Sequence, residues 1–168
     1  MSRIKPFELF HGAVLTKLVR SDRPITMRLI QTSVNEDWRI YSISTSREDA
    51  RFYMRVGKNP RPLTRTKGIS WYFPIQRDES IRIKELLEKG PVYIFLICGD
   101  EELKHTMVIC AIAPDKIKDI LDLDSNGNSQ NVTVKYIKGR SYRVCGARKN
   151  KEVVINQNEL DSIFKELA

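Results

Sequence analysis

The sequence predicts a single α+β domain, with a central, mixed but mostly antiparallel sheet flanked by helices and a basic C-terminal hairpin. Three observations lead to this prediction. The length of 168 residues suits one domain. Short apolar segments, alternating or continuous as in strands, recur along the chain. The predicted order is helix, three or four strands, helix, two strands, helix, hairpin and helix, with no internal repeat.

The first third of the chain predicts a helix and a meander of strands. Apolar residues at helical spacing predict an amphipathic helix over residues 6–20. Alternating apolar residues predict strands over 25–32 and 38–43, which are joined as a hairpin through a polar turn. Residues 47–56 fit either a strand or a short helix, and the strand is favoured because Gly57 ends the pattern early.

The middle of the chain predicts a loop, a strand and a second helix. Residues 57–68 are rich in proline, glycine and basic residues and predict a loop, while 69–75 predict an aromatic strand. Acidic residues from Asp78 onward open the helix, where the helix dipole favours negative charge, and Gly90 ends it. The predicted buried face of this helix is Ile81, Ile83, Leu86 and Leu87.

Two continuous apolar segments predict the centre of the sheet. Residues 92–98 and 107–113 lack the alternation of a half-exposed strand, so both faces of each are expected to be buried. The short turn between them favours antiparallel pairing. A helix over 114–121 follows. The polar residues 125–130 mark a candidate subdomain boundary, although the remainder of the chain is short for an independent domain.

The C-terminal part predicts a basic hairpin. Strands are predicted over 132–137 and 142–145, around a turn at Lys138-Gly139-Arg140. A short strand over 153–155 and a helix over 158–167 complete the chain.

Segregated positive charge is the most informative feature of the sequence. The net charge is +8, and two windows without Asp or Glu, 50–77 and 125–151, hold fourteen of the twenty-nine basic residues. Elsewhere acidic residues outnumber basic residues. Because segregated positive charge is the electrostatic footprint of a polyanion partner, DNA or RNA is the expected ligand.

The rest of the composition indicates a cytoplasmic protein that uses neither a membrane nor a metal. The apolar segments are shorter than the about 20 residues that a membrane span needs, and the N-terminus predicts no signal peptide. Cys98 and Cys110 lie in apolar segments and are expected to be buried thiols. With Cys145 and two scattered histidines they show no zinc-ligand spacing, so no cofactor is expected. His11, beside the apolar face of the first helix, is expected to be a partly buried structural residue.

The first window places basic residues in a loop from which they can reach phosphates. The planar guanidinium of arginine suits paired hydrogen bonds to a phosphate. Trp71 and Tyr72 follow and offer stacking surfaces for unpaired bases, although Trp71 is expected in the core because one face of its strand must be buried. A solvated loop without a ligand is the alternative. The predicted nucleic-acid-binding residues of this window are Arg55, Lys58, Arg61, Arg65 and Lys67.

The second window fits two interpretations equally. A basic two-stranded ribbon can enter a major groove or follow a phosphate backbone. An edge hairpin can also carry charge only to prevent aggregation. The predicted nucleic-acid-binding residues of this window are Lys135, Lys138, Arg140, Arg143, Arg148 and Lys149.

The order helix, strands, helix, strand over residues 6–113 resembles the core of restriction-endonuclease-like, PD-(D/E)XK nucleases. The resemblance implies that residues 51–58 lie where those enzymes have their metal-binding strand. The Glu-x-Lys signature of the family is absent there, since the chain has Tyr53-Met54-Arg55-Val56. If the resemblance extends to activity, it implies Mg²⁺ held by converging carboxylates. The candidate catalytic carboxylates are Glu8, Glu36, Asp37 and Asp49.

Three functional hypotheses follow. The leading one is a nucleic-acid-binding domain on a nuclease-like α+β fold, which contacts phosphates through both basic windows and has no complete active site. The second is a metal-dependent nuclease that uses Mg²⁺. The third is a protein-interaction module or accessory subunit whose positive surface binds an acidic protein partner.

Overall fold

A computed structural model describes residues 6–20, 24–35, 37–100, 107–124, 128–147 and 151–167. These residues form four helices and ten strands. In chain order the elements are α1 (Pro6–Val19), β1 (Thr26–Thr32), β2 (Trp38–Ser44), β3 (Asp49–Gly57), β4 (Arg61–Pro62), β5 (Ile69–Ile75), α2 (Arg77–Lys89), β6 (Val92–Cys98), β7 (Val108–Ile112), α3 (Pro114–Ile120), β8 (Gln130–Tyr136), β9 (Tyr142–Cys145), β10 (Glu152–Ile155) and α4 (Glu159–Leu167).

The strands form two five-stranded sheets. Sheet A has the order β1-β2-β3-β6-β7, and sheet B has the order β10-β9-β8-β5-β4. Sheet A is mixed, because β3 and β6 pair in parallel while its other pairs are antiparallel. Sheet B is antiparallel throughout. The predicted α+β domain with a mixed sheet and flanking helices is therefore confirmed, and sheet B is an addition that the sequence did not reveal.

The core consists of two apolar layers on the two faces of sheet A. Apolar side chains between sheet A and sheet B, with α2 and α3 beside sheet B, form the larger layer. The second layer lies between the other face of sheet A and the helices α1 and α4. Alternation along β3 supplies both layers, since Phe52 and Met54 face α1 and α4 while Tyr53 faces α2. Sheet A is thus covered on both faces by described elements.

Trp71 is a core residue, as predicted. Its side chain lies between the sheets, and its indole nitrogen donates a hydrogen bond to the carbonyl oxygen of Gly99 at 2.7 Å. Buried indole groups need such an acceptor. Trp71 is therefore unavailable as a stacking surface.

The predicted pairing of the two continuous apolar segments is confirmed, but their predicted central position is wrong for one of them. β6 and β7 pair antiparallel, with Leu96 opposite Cys110. β7 is an edge strand of sheet A, whereas β3 is central. Cys110, Ala111 and Ile112 of β7 are nevertheless buried, because α4 packs on it and β10 lies beside it, while Val108 and Ile109 are half-buried. Burial on both faces thus does not require a central position.

The predicted buried face of α2 is wrong at one residue. Ile83 and Leu86 are buried, whereas Ile81 is exposed. Glu79 and Ser80 are buried in its place, because the first turn of α2 faces polar side chains of sheet A. The helix therefore buries a carboxylate where the sequence pattern predicted an isoleucine.

Candidate functional site

The turns of the two basic windows lie at the same end of sheet B. β5 and β8 pair antiparallel, with Ile69 opposite Tyr136. The turn that precedes β5 (residues 63–68) and the turn that follows β8 (residues 137–141) therefore meet at this end. Gly68 makes the contact, since a Cβ atom built on it would lie 2.8 Å from Cγ1 of Ile137.

Both turns are closed by backbone hydrogen bonds. In the first turn the amide of Leu63 donates to the carbonyl oxygen of Gly68 at 2.9 Å. In the second turn the amide of Arg140 donates to the carbonyl oxygen of Ile137 at 3.0 Å, and Gly139 has the positive φ of 79° that a turn residue with a side chain rarely adopts. The side chains on the turns therefore start from fixed backbone positions.

Five exposed basic residues surround this meeting point, and we call them the basic end. None of the five has an ion-pair partner among the described residues of the chain. Positive groups without internal partners remain available for an external anion. The residues of the basic end are Arg61, Arg65, Lys67, Lys138 and Arg140.

A row of polar and basic residues continues from the basic end across the solvent-facing side of sheet B. Arg61 is opposite Ser70, which is opposite Lys135, which is opposite Arg143. Directly paired residues point to the same side of a sheet, and neighbouring strands are about 4.8 Å apart. The row therefore spans four strands on one surface, which we call the outer face.

A second row lies beside the first on the outer face. Tyr72 is opposite Thr133, which is opposite Cys145, which is opposite Glu152. Neither row contributes to the two apolar core layers. Among the described elements no helix covers this face, and the side chain of Tyr72 is 47% exposed.

Glu152 binds two of the predicted nucleic-acid-binding residues. Its Oε2 atom lies 3.1 Å from Nζ of Lys135 and its Oε1 atom lies 2.9 Å from a guanidinium nitrogen of Arg143. Hydrogen bonds from Arg143 and Lys135 lower the pKa of the Glu152 carboxyl. The hydrogen bond to Glu152 raises the pKa of Lys135. Both cations are thus held on the outer face and are partly neutralised there.

Arg55 does not belong to the basic loop in which the sequence placed it. It lies within β3, is only 7% exposed, and donates a hydrogen bond to Oε2 of Glu79 at 2.5 Å. The hydroxyl of Tyr53 donates to the same oxygen. Burial raises the pKa of the Glu79 carboxyl, and the donors around it oppose that shift. A buried, paired guanidinium fits a structural role better than a phosphate contact.

A polar cleft of about 330 Å³ opens beside this pair. It lies between the β1–β2 turn and the first turn of α2. Its lining includes Asp37 and Asp78, in addition to Arg55 and Glu79. Asp37 also lies 3.8 Å from Nζ of Lys58, so this second residue of the first window also faces an acidic partner.

The candidate catalytic carboxylates are distributed over different parts of the fold. Asp37 adjoins Trp38, which pairs with Arg55, whereas Asp49 pairs with Ser44 at the other end of β2. Asp37 and Asp49 are therefore roughly 20 Å apart along the strands. Glu8 lies on α1, which packs on the other face of sheet A from α2.

Three predicted residues lie outside the described residues. They are the candidate carboxylate Glu36 and the basic residues Arg148 and Lys149. In the part of the chain that the structure describes, no group of three His, Cys, Asp or Glu residues is placed to hold a metal ion. None of the described helices is long and apolar enough to cross a membrane.

The remaining titratable candidates are buried. Burial, with a smaller contribution from Arg39, lowers the pKa of His11 from 6.5 to about 4. Burial raises the pKa values of the Cys98 and Cys110 thiols well above the ordinary range, so both are unreactive at neutral pH. Cys110 is opposite Leu96 rather than opposite Cys98, so the two thiols are not directly paired.

Comparison with protein-family models finds no match, and comparisons with curated proteins and with solved structures find none either. The candidate site therefore rests on its own geometry.

Proposed function

We propose that the protein binds nucleic acid through the basic end and the outer face of sheet B. One observation carries this proposal: the two acid-free windows, distant in sequence, meet at Gly68 and Ile137. Fourteen basic residues spread over the surface would favour no particular ligand. Five unpaired cations around one point form a positive surface that suits a chain of phosphates, and the row with Lys135 and Arg143, partly neutralised by Glu152, extends it.

The composition of the basic end supports phosphate binding. Three of its five residues are arginines, whose planar guanidinium groups form paired hydrogen bonds with phosphate oxygens. All five side chains are exposed, so binding requires no rearrangement of the core. The closed turns hold their Cα positions, which reduces the entropy lost on binding.

The test is a salt titration of affinity for labelled DNA and RNA oligonucleotides. For about five phosphate contacts, the logarithm of the association constant should fall with the logarithm of salt concentration with a slope of about −4. The double variant Arg65→Ala, Lys138→Ala removes one cation from each turn. It should make the slope less negative by about 2 units. Lys17→Ala is the control, because Lys17 lies on α1 on the other side of sheet A.

Two results would overturn the proposal. One is no binding of any oligonucleotide at 50 mM salt, which would favour an acidic protein partner instead. The other is an equal loss of binding free energy per charge removed in the double variant, which loses two charges, and in the Lys17→Ala control, which loses one, because then total charge rather than the basic end would decide binding.

We further propose that the chain uses a nuclease-like layout for binding rather than for metal-dependent cleavage. The order α1, β1–β3, α2 and the parallel strand β6 supports the layout. Tyr53 and Arg55 occupy the strand that would carry the Glu-x-Lys signature, and both donate to Glu79. A carboxylate engaged by these donors is poorly suited to bind Mg²⁺. Incubation with Mg²⁺ and DNA or RNA should leave the nucleic acid intact, and cleavage by purified protein would favour the nuclease alternative.

A further inference from the structure

The outer face of sheet B combines cations and an exposed aromatic ring in adjacent rows. From this juxtaposition we propose that the nucleic acid is single-stranded and that one of its bases stacks on Tyr72. The inference rests on the proposed function and specifies the form of its ligand.

Tyr72 has no role in the core. Its neighbours on β5, Trp71 and Phe73, point between the sheets and are fully buried, while Tyr72 points away from them. Among the described residues the Tyr72 side chain has no hydrogen-bond, ion-pair or ring partner. A large aromatic side chain on an open surface without such a partner is available to an external ring.

The surroundings of Tyr72 leave room for a base. Thr133, directly opposite on β8, has a short side chain, and so does Ser70, two residues earlier on β5. On the other side of β5 the pairing with β4 ends at Arg61 and Ser70, before it reaches Tyr72. The ring therefore borders on small side chains, and β4 does not pair with β5 at its position.

The spacing of the two rows matches a nucleotide chain with its phosphates on one row and a base on the other. Tyr72 is two residues from Ser70 along β5, which is about 7 Å. Ser70 lies between Arg61 on β4 and Lys135 on β8, so a nucleic-acid backbone that passes over Ser70 has a cation on each side. Phosphates over the basic row therefore place a base above Tyr72.

Duplex nucleic acid fits this surface less well. Its bases are stacked on one another and cannot stack on a protein ring unless they leave the helix. Reading a groove needs a protruding helix or two-stranded ribbon, whereas the outer face is a sheet surface with side chains from four or more strands. Unpaired bases, in contrast, stack on aromatic side chains of sheet surfaces in a manner that tolerates different sequences.

The experiment compares a labelled twelve-nucleotide single strand of mixed pyrimidines with the duplex of the same sequence. Wild-type protein, Tyr72→Ala, Tyr72→Phe and Arg65→Ala are titrated with each ligand. Tyr72→Ala should weaken single-strand binding about 5- to 100-fold, with little change in the salt slope. Tyr72→Phe should restore most of the affinity, because the ring is retained. Arg65→Ala should weaken binding and reduce the salt slope by about 1.

The outcomes separate this inference from the proposed function. Two results would contradict the inference that a single strand stacks on Tyr72 while leaving the proposed phosphate binding intact. One is that Arg65→Ala weakens binding and Tyr72→Ala does not, and the other is that the duplex binds more tightly than the single strand. If neither ligand binds wild-type protein at 50 mM salt, both proposals fail. Melting temperatures of all variants within about 2 °C of wild type would exclude unfolding as the cause, as expected for exposed positions.

Discussion

The backbone of Gly68 lies so close to Ile137 that any side chain at position 68 would collide with it. An alanine Cβ there would be 2.8 Å from Cγ1 of Ile137 and 2.8 Å from the carbonyl oxygen of Tyr136. This contact joins the turns of the two basic windows. The geometry of the basic end therefore depends on the absence of a side chain at this position.

Gly68→Ala should reduce both stability and nucleic-acid affinity. The added methyl group must displace the β8–β9 turn, and overpacking of this kind costs about 1–3 kcal/mol. Denaturant unfolding and oligonucleotide titration measure the two effects. Gly12→Ala on α1 is the matched control, because its Cβ would meet nothing within 4 Å. The control should be neutral or stabilising by up to about 1 kcal/mol. Equal stability of the two variants would contradict the tight contact.

Glu152→Gln should increase the affinity for nucleic acid. The substitution releases Lys135 and Arg143 from their shared carboxylate, so the salt slope should become more negative by up to about 2 units. Asp161→Asn changes the net charge equally but lies beside Lys17 on the other side of sheet A. If both substitutions changed the affinity equally, the position of Glu152 on the outer face would be irrelevant.

Arg55 and Glu79 should be strongly coupled in stability. Arg55→Met leaves a buried carboxylate without its cation and should destabilise the protein by about 3–5 kcal/mol. Adding Glu79→Gln removes that charge and should recover part of the loss. Lys84 and Asp124, whose side chains are 48% and 92% exposed, form the matched control cycle, with an expected coupling of about 0–1 kcal/mol. Urea unfolding of both double-mutant cycles would measure the difference, and similar coupling energies would rule out a special role for the buried pair.

His11 should make stability dependent on pH on the acidic side. Its folded-state pKa of about 4 lies below the ordinary value of 6.5, so the unfolded chain binds the proton more readily between these values. Stability should therefore be fully present above about pH 6.5 and fall as the pH decreases toward 4, by on the order of 3 kcal/mol. His11→Gln should flatten this part of the profile. Chemical denaturation at each pH measures the free energy of unfolding. If it changed equally with pH in wild type and in His11→Gln between pH 6.5 and 4.5, the pKa of His11 would not be lowered in the folded protein.

Ile81 and Ile83 provide a matched test of the packing of α2. Ile83→Ala removes a fully buried side chain and should cost about 2–5 kcal/mol, whereas Ile81→Ala affects a side chain that is 46% exposed and should cost no more than about 1 kcal/mol. Thermal unfolding of the two variants compares them directly. Similar losses would mean that the helix presents a different face to the core.

Local patterns in the sequence were sufficient to place the helices and the strands other than β4, which lies in the segment 57–68 that the composition predicts as a loop. The segment 69–75, for example, was predicted as a strand with the bounds that β5 has. The pairing of this strand with β8 was not predictable, because strand pairing depends on contacts between distant segments and neither segment alone indicates its partner. The division into two sheets was therefore missed, although the α+β class was correct.

The same distinction applies to the candidate site. The acid-free windows were visible in the sequence. Arg65 and Lys138 are exposed, as expected for residues in a predicted loop and a predicted turn. The meeting of the turns required the β5–β8 register. Glu152 follows directly after the second window, which by definition ends before the first acidic residue. The signal for Glu152 was its position directly before the predicted strand 153–155, because a strand that pairs with the hairpin would bring this residue beside it.

Arg55 shows why residue type alone was misleading. Among its neighbours in sequence it is one of several basic residues near a loop, yet alternation along β3 points it toward α2. A count of charged residues does not say to which face of the sheet each side chain points. The buried partner Glu79 carried only the ordinary signal of an acidic residue in the first turn of a helix.

The chain enters and leaves each sheet twice, which has a consequence for its synthesis. Sheet A is built from β1–β3 and β6–β7, and sheet B from β4–β5 and β8–β10. A ribosome delivers these segments in order from the N-terminus. Sheet A can assemble once β7 has emerged, but sheet B and the apolar layer between the sheets stay incomplete until β8, β9 and β10 have emerged. Until β8 has emerged, β5 and its apolar residues Trp71 and Phe73 therefore lack their partner strand and can bind chaperones or other nascent chains.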